Sequence, residues 1–171
     1  MHIREERRER HTLAVIVDNE PGILARIAGL FTARGYNIES LTVSEIAHEE
    51  AVSRITIVTS ASAAVLEQIV AQLDRLVPVH KVTDLTTLGP HVERELALIK
   101  VRGLGEQRIE AMRLAEVYRG RVVDATTESF VFEVTGGSEK IDTFVALMRQ
   151  VGLVEVARTG IVAIARGREA A

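Results

Sequence analysis

Apolar positions along the chain change period twice, in the same order each time. Leu13–Asp18 is a continuous aliphatic run, as in a strand buried on both faces, and it ends in the turn and cap residues Asp18-Asn19-Glu20-Pro21-Gly22. Ile23, Leu24, Ile27, Leu30 and Phe31 then recur at helical spacing, and Gly35 stands where a left-handed helix end favours glycine. Ile38–Ile46 and Ser53–Thr59 predict two strands joined by a polar turn around His48-Glu49-Glu50. A second amphipathic stretch, with Val65, Leu66, Ile69, Val70, Leu73, Leu76 and Val77 inward, runs to Pro78, and Val79–Leu88 predicts a last strand. The order is βαββαβ.

Gly89-Pro90 interrupts, and the cycle restarts. Leu96–Arg102 predicts a strand, and Gln107–Arg119 a helix with Ile109, Met112 and Ala115 inward. Strands at Val122–Thr126 and Phe130–Thr135 follow, then a helix over Ile141–Val151 with Phe144, Val145 and Met148 inward. Val154–Ala165 closes the cycle, with a bend near Gly160. The expected class is α+β: two ferredoxin-like βαββαβ units, each an antiparallel sheet with its helices on one face. The implied division is a tail over 1–11, a first domain over 12–88 and a second over 89–171. Helices cover only one face, and a unit of this size buries only about 60 % of its unfolded surface. The other sheet faces are therefore expected to pair with another chain, giving at least a homodimer.

Composition narrows the chemistry. Aromatics make up 4 % of the 171 residues, with no Trp, so the core must be aliphatic. The absence of Cys removes disulfides, thiolate metal sites and cysteine nucleophiles, and fits a cytoplasmic setting. No apolar run approaches the roughly 20 residues of a membrane span. Residues 1–88 carry nine basic and twelve acidic groups and residues 89–171 twelve of each, without the basic excess of a nucleic-acid binder. His2, His11, His48, His80 and His91 show no metal-ligand spacing, and no nucleophile elbow or P-loop is present. Gly103-Leu104-Gly105 imitates a dinucleotide fingerprint, but Arg108 stands where the third glycine belongs, leaving a tight strand-to-helix turn. Nothing assembles an acid, a base and an excluded pocket, so no catalytic residue and no bound metal are expected.

The informative stretch is Asp18–Ser44. Gly22 allows close approach to the backbone, and a helix start offers unpaired N–H groups and a positive dipole end to a carboxylate. Asn19 and Asn37 supply carboxamides that can meet an ammonium and a carboxylate, and Leu24, Ile38 and Leu41 can supply an apolar lining. The same residues also suit plain structural roles: Asn19 as a helix cap, Gly22 as a turn former, Asn37 in the left-handed conformation after Gly35-Tyr36. Pattern alone leaves both readings open.

The runs N-E-P-G-I-L-A-R-I-A-G-L-F at 19–31 and R-G-Y-N-I-E-S-L-T-V at 34–43 resemble the ACT domain of acetolactate (acetohydroxyacid) synthase small subunits. V-H-K-V-T-D-L at 79–85, H-V-E-R-E-L-A-L-I-K-V at 91–101, M-R-L-A-E-V-Y-R-G-R-V-V-D at 112–124 and E-V-A-R-T-G at 155–160 resemble the same family. The resemblance implies a cytoplasmic, non-catalytic subunit of branched-chain amino acid biosynthesis. It implies a large catalytic partner carrying thiamine diphosphate, Mg and FAD, with no cofactor on this chain. It also implies activation of that partner, feedback inhibition by valine or another branched-chain amino acid, and two ACT domains joined side by side. The effector would lie at their interface, with Asn19, Glu20, Pro21 and Gly22 from one chain and Asn37 and Ile38 from the other; Ala25 and Ser44 would line or flank the pocket, and Ile23 and Leu24 complete the expected effector-binding residues. The alternative is a free-standing ACT-type amino-acid sensor acting on a different partner.

Overall fold

The structure is a computed structural model that describes residues 8–168 and residue 170. Two compact units appear: residues up to Val92 together with those from Ile161 onward, and Glu93–Gly160. The last stretch, read from sequence as part of the second domain, thus groups with the first.

In the first unit, β1 (Glu9–Asp18), α1 (Ile23–Ala33), β2 (Ser40–Ala47), β3 (Val52–Ala61), α2 (Ala63–Asp74) and β4 (Val79–Asp84) form a four-stranded antiparallel sheet of order β2-β3-β1-β4. The core lies under the helices: Leu13, Val15 and Val17 of β1 and Ile55 and Ile57 of β3 meet Ile23, Ile27 and Phe31 of α1 and Leu66, Ile69 and Leu73 of α2. The helix–sheet face is closed by period alone, odd residues on strands against every third or fourth on helices. Gly35 (φ 69°) ends α1, with Tyr36 N–H donating to the Phe31 carbonyl at 2.9 Å, as a left-handed cap requires. Leu24 and Val77, expected inward, are exposed: Leu24 falls off the core-facing arc of α1, and Val77 lies in the turn beyond the end of α2 at Asp74.

Three expectations at the margins of this unit are corrected. β1 begins at Glu9 and His11 is buried, so only residues 1–7 of the expected tail lie outside the described part. The strand expected to reach Leu88 stops at Asp84, whose Oδ1 accepts from Thr86 N–H at 3.0 Å and starts the short helix α3 (Leu85–Leu88). The sheet face away from α1 and α2 is also largely closed by the chain itself. Leu85 and Ala163 pack on Ala14, and Thr12, Thr56 and Val58 are buried there. The open-face argument for a dimer therefore fails in this unit. It failed because residues 161–165 return to a strand that lies about 150 positions earlier, which no local pattern announces.

In the second unit, β5 (His91–Arg102), α4 (Glu106–Val117), β6 (Arg121–Ala125), β7 (Ser129–Gly136), α5 (Ser138–Gln150) and β8 (Leu153–Arg158) repeat the topology as β6-β7-β5-β8. Past the bend at Gly160 (φ 83°), β9 (Val162–Ala165) belongs to the first unit. α4 turns only Ala111 and Ala115 fully inward, and Ile109 is exposed, contrary to expectation. The space those alanines leave is filled by rings: Phe132 lies 5.5 Å from Phe130 and 6.4 Å from Phe144, whose ring lies 5.3 Å from Tyr118. Both units contain the βαββαβ order expected from sequence.

Candidate functional site

Gly22 caps α1 with φ 89°, a left-handed conformation that costs a side-chain-bearing residue about 1 kcal/mol. A Cβ added there would meet nothing within 4 Å, so the glycine is explained by backbone conformation and by open space in front of the turn. No side chain caps this helix, and its first turn carries no acidic residue. Arg26 N–H returns to the Gly22 carbonyl at 3.0 Å and Ile23 N–H reaches the Glu20 carbonyl at 3.4 Å. Among the described residues, no acceptor meets the N–H groups of Leu24 and Ala25. Two donors and the positive end of a helix therefore face solvent, which is the requirement for holding a carboxylate.

The neighbouring carboxylates have partners. Glu20 faces Arg26 at 3.4 Å, and the Asp18 carboxylate accepts from His80 Nε2 at 2.6 Å, so neither stands alone beside the helix start. The turn is pinned to the sheet where Asn19 N–H donates to the Ala51 carbonyl at 2.5 Å. The Asn19 carboxamide is exposed and has no partner among the described residues, so it does not act as the helix cap. Pro21, Gly22, Leu24 and Ala25 are exposed around it, whereas the Ile23 side chain is buried in the core and can offer a ligand only its backbone.

Asn37 lies elsewhere. Its carbonyl accepts from Thr59 Oγ1 at 2.6 Å, and Glu39 N–H donates to the Val58 carbonyl at 2.8 Å, so the segment sits at the far end of β3. Asn19 sits beside Ala51, at the near end of the same strand. Val52 to Thr59 is seven steps of extended chain, about 23 Å at ~3.3 Å per residue. One protomer cannot place both asparagines on one amino acid. Ile38, half-buried, packs against the first core. Ser44 pairs with Arg54 in the β2–β3 ladder and points to the face away from the helices, so the structure does not bring it to the Gly22 turn.

Four of the five histidines lie among the described residues. The fold gives three of them carboxylates: His11 Nδ1 to Asp84 at 2.9 Å, His48 to Glu45 at 3.2 Å, and His80 to Asp18. Two of these partners lie 62 and 73 residues away, beyond the reach of sequence spacing. Among the described residues no three His, Asp or Glu gather as a metal site, and no helix is long and apolar enough to cross a membrane.

Comparison with known proteins bears on the whole chain. Residues 94–167 match the family described as the small subunit of acetolactate synthase, and residues 13–81 match the AHAS small subunit-like ACT domain. The chain belongs to the acetolactate synthase small-subunit family. A probable acetolactate synthase small subunit of Archaeoglobus fulgidus is 48 % identical over 94 % of this chain and 99 % of its own length. That of Aquifex aeolicus is 47 % identical over 96 % of this chain and 85 % of its own. The crystal structure of the small subunit from Thermotoga maritima superposes with a TM-score of 0.85 at 40 % identity, covering 94 % of this chain and 99 % of that one. Membership in a small-subunit family implies a large catalytic partner, and the Gly22 turn lies within the ACT-matched stretch.

Proposed function

We propose that this chain activates the thiamine-diphosphate-dependent catalytic subunit of acetolactate synthase and makes it sensitive to feedback by valine. The reading follows from family membership and from one geometric observation: the bare helix start at Gly22 and the carboxamide of Asn37 are both exposed, yet lie at opposite ends of one sheet. β2 is an edge strand. If two copies join antiparallel along β2, the start of one strand, near Asn37, lies beside the end of the other, near Ala47, which pairs with Val52 as Asp18 does. Asn37 of one copy is then delivered to the Gly22 turn of the other. The valine carboxylate would accept from the N–H groups of Leu24 and Ala25 and from the Asn37 carboxamide, with Asn19 receiving the ammonium and Leu24 beside the isopropyl group. A ligand held by both copies favours one mutual orientation, and a coupling of about 1–3 kcal/mol gives 5- to 150-fold modulation. The catalytic chemistry and its cofactors then belong to the partner.

The test is complementation between two defective variants. Gly22→Asp places a carboxylate in the cradle, and Asn37→His removes the carboxamide, so each alone should stimulate the catalytic subunit but lose valine inhibition. In mixed dimers one of the two sites keeps both Gly22 and Asn37, so valine binding by calorimetry should return when the variants are co-refolded. A site contained in one protomer would leave every site broken and the mixture unresponsive.

A further inference from the structure

The face of the first sheet away from α1 and α2 holds a groove of about 420 Å³, between the end of β2 and β9. The hydroxyl-bearing residues Thr42, Ser44 and Thr56 and the guanidinium of Arg54 line it, together with the aliphatic side chains of β2 and β9. Arg54 is half-buried and donates from Nη2 to the Ala163 carbonyl at 2.9 Å. Among the described residues no carboxylate reaches it, and burial alone pushes its pKa below the ordinary value without an ion pair to raise it. A guanidinium has five donors and stays charged, so most of its capacity is unused. The Ser44 hydroxyl beside it also has no partner among the described residues.

The second unit supplies the control. On the face away from its helices, two of its strand cations are paired, Lys100 to Glu155 and Arg121 to Glu133, each at 2.6 Å. Arg54, half-buried in the first sheet, meets no carboxylate among the described residues. Around it Val43, Ile46, Val162 and Ile164 are 45 to 65 % exposed, an apolar border about a desolvated arginine. That is the anatomy of an interface hot spot, in which a central charge finds its partner and aliphatic neighbours exclude water.

We infer that this groove is the place where an acidic side chain, flanked by aliphatic residues, of the acetolactate synthase catalytic subunit docks, its carboxylate forked onto Arg54 and Ser44. The inference rests on the regulatory-subunit reading above and names its contact surface. A second copy of this chain is disfavoured, because a two-fold contact centred on the groove would bring Arg54 against its own equivalent. A free small anion would leave the aliphatic border wet.

The experiment titrates the cognate catalytic subunit with wild-type, Arg54→Glu and Ile164→Asp small subunits and follows acetolactate formation. Calorimetry with valine and a thermal melt are run on each isolated subunit. The Arg54 variant should need at least about 30-fold more protein for half-maximal stimulation, since reversing a desolvated charge removes one ion pair and creates a repulsion. Ile164→Asp, on an outward side chain, should need about 10-fold more. Valine affinity should stay unchanged in both. Wild-type midpoints in both variants would overturn the docking site. So would a change in the sedimentation of the isolated variants, which would make the groove a contact between copies. Binding of isovalerate to the wild-type subunit that is lost in Arg54→Glu would make it a small-molecule site and overturn docking as well. If the wild-type chain itself fails to stimulate, the regulatory reading falls first and the groove with it.

Discussion

The turn before α1 and the turn before α4 occupy the same place in two copies of one topology, and both seat a positive-φ glycine at the helix cap, Gly22 and Gly105. Their surroundings differ. α1 starts without an acidic residue, beside the exposed carboxamide of Asn19, whereas α4 starts with Glu106, whose charge already answers the helix dipole. After α1 the chain passes Gly35 and Tyr36 to an exposed Asn37. After α4 it passes Arg119, at φ 54°, to Gly120, where a Cβ would stand 3.0 Å from Val134. The turn after α4 is therefore packed, whereas a Cβ at either helix-start glycine, Gly22 or Gly105, would meet nothing within 4 Å, so the two starts differ in charge and in neighbouring side chains. A shared fold sets where a ligand could be held, and a handful of loop residues decides whether anything is.

The comparison can be broken by mutation. The largest effect is expected at Gly152, which has no counterpart in the first unit. At φ 107° its added Cβ would lie 2.0 Å from the Arg102 carbonyl oxygen, so Gly152→Ala should cost about 3 kcal/mol or more in denaturant unfolding. Next comes the matched pair of turns. Gly22→Asp should lower valine affinity at least about 100-fold in calorimetry, through like charge against the carboxylate. Gly105→Asp, at φ 59° and ψ −126°, strains its backbone more and should still leave valine affinity unchanged. Equal losses in both variants would show that the two turns are not functionally distinct. The smallest effect concerns Lys100, which holds the Glu155 carboxyl below its ordinary pKa, first by a hydrogen bond and then by charge. A depressed carboxyl adds stability above the ordinary carboxylate range and loses it as pH falls toward the depressed value. Lys100→Ala should move the Glu155 titration, followed by carbon NMR, back upward, and should flatten the acid limb of stability slightly because the pair is exposed.

The units also differ in how they fill space. The first core is aliphatic with Phe31 at one end, and the second lets Phe132 and Phe144 occupy the room left by Ala111 and Ala115. An ion cluster with one buried member adds to this: Glu95, almost fully enclosed, accepts from Arg158 through both carboxylate oxygens, and Arg158 also reaches the exposed Asp142 at 2.6 Å. Those contacts raise the Arg158 pKa above its already high value, Glu95 contributing most.

Local pattern determined the order and type of every helix and strand that frames the Gly22 turn, because burial on one side of a helix or strand writes its period into ten or so adjacent residues. It also marked Asn19, Gly22 and Asn37 as chemically able to hold an amino acid, since residue type and turn position are local facts. Tertiary structure decided the rest. Only the fold puts Asn19 and Asn37 at opposite ends of β3, buries Ile23, turns Ser44 to the other face beside an unpaired Arg54, and lays residues 161–165 over β1 and β3. Each of these depends on which distant strands lie side by side. That choice is made by the summed burial of the whole core, so no single stretch of sequence displays it.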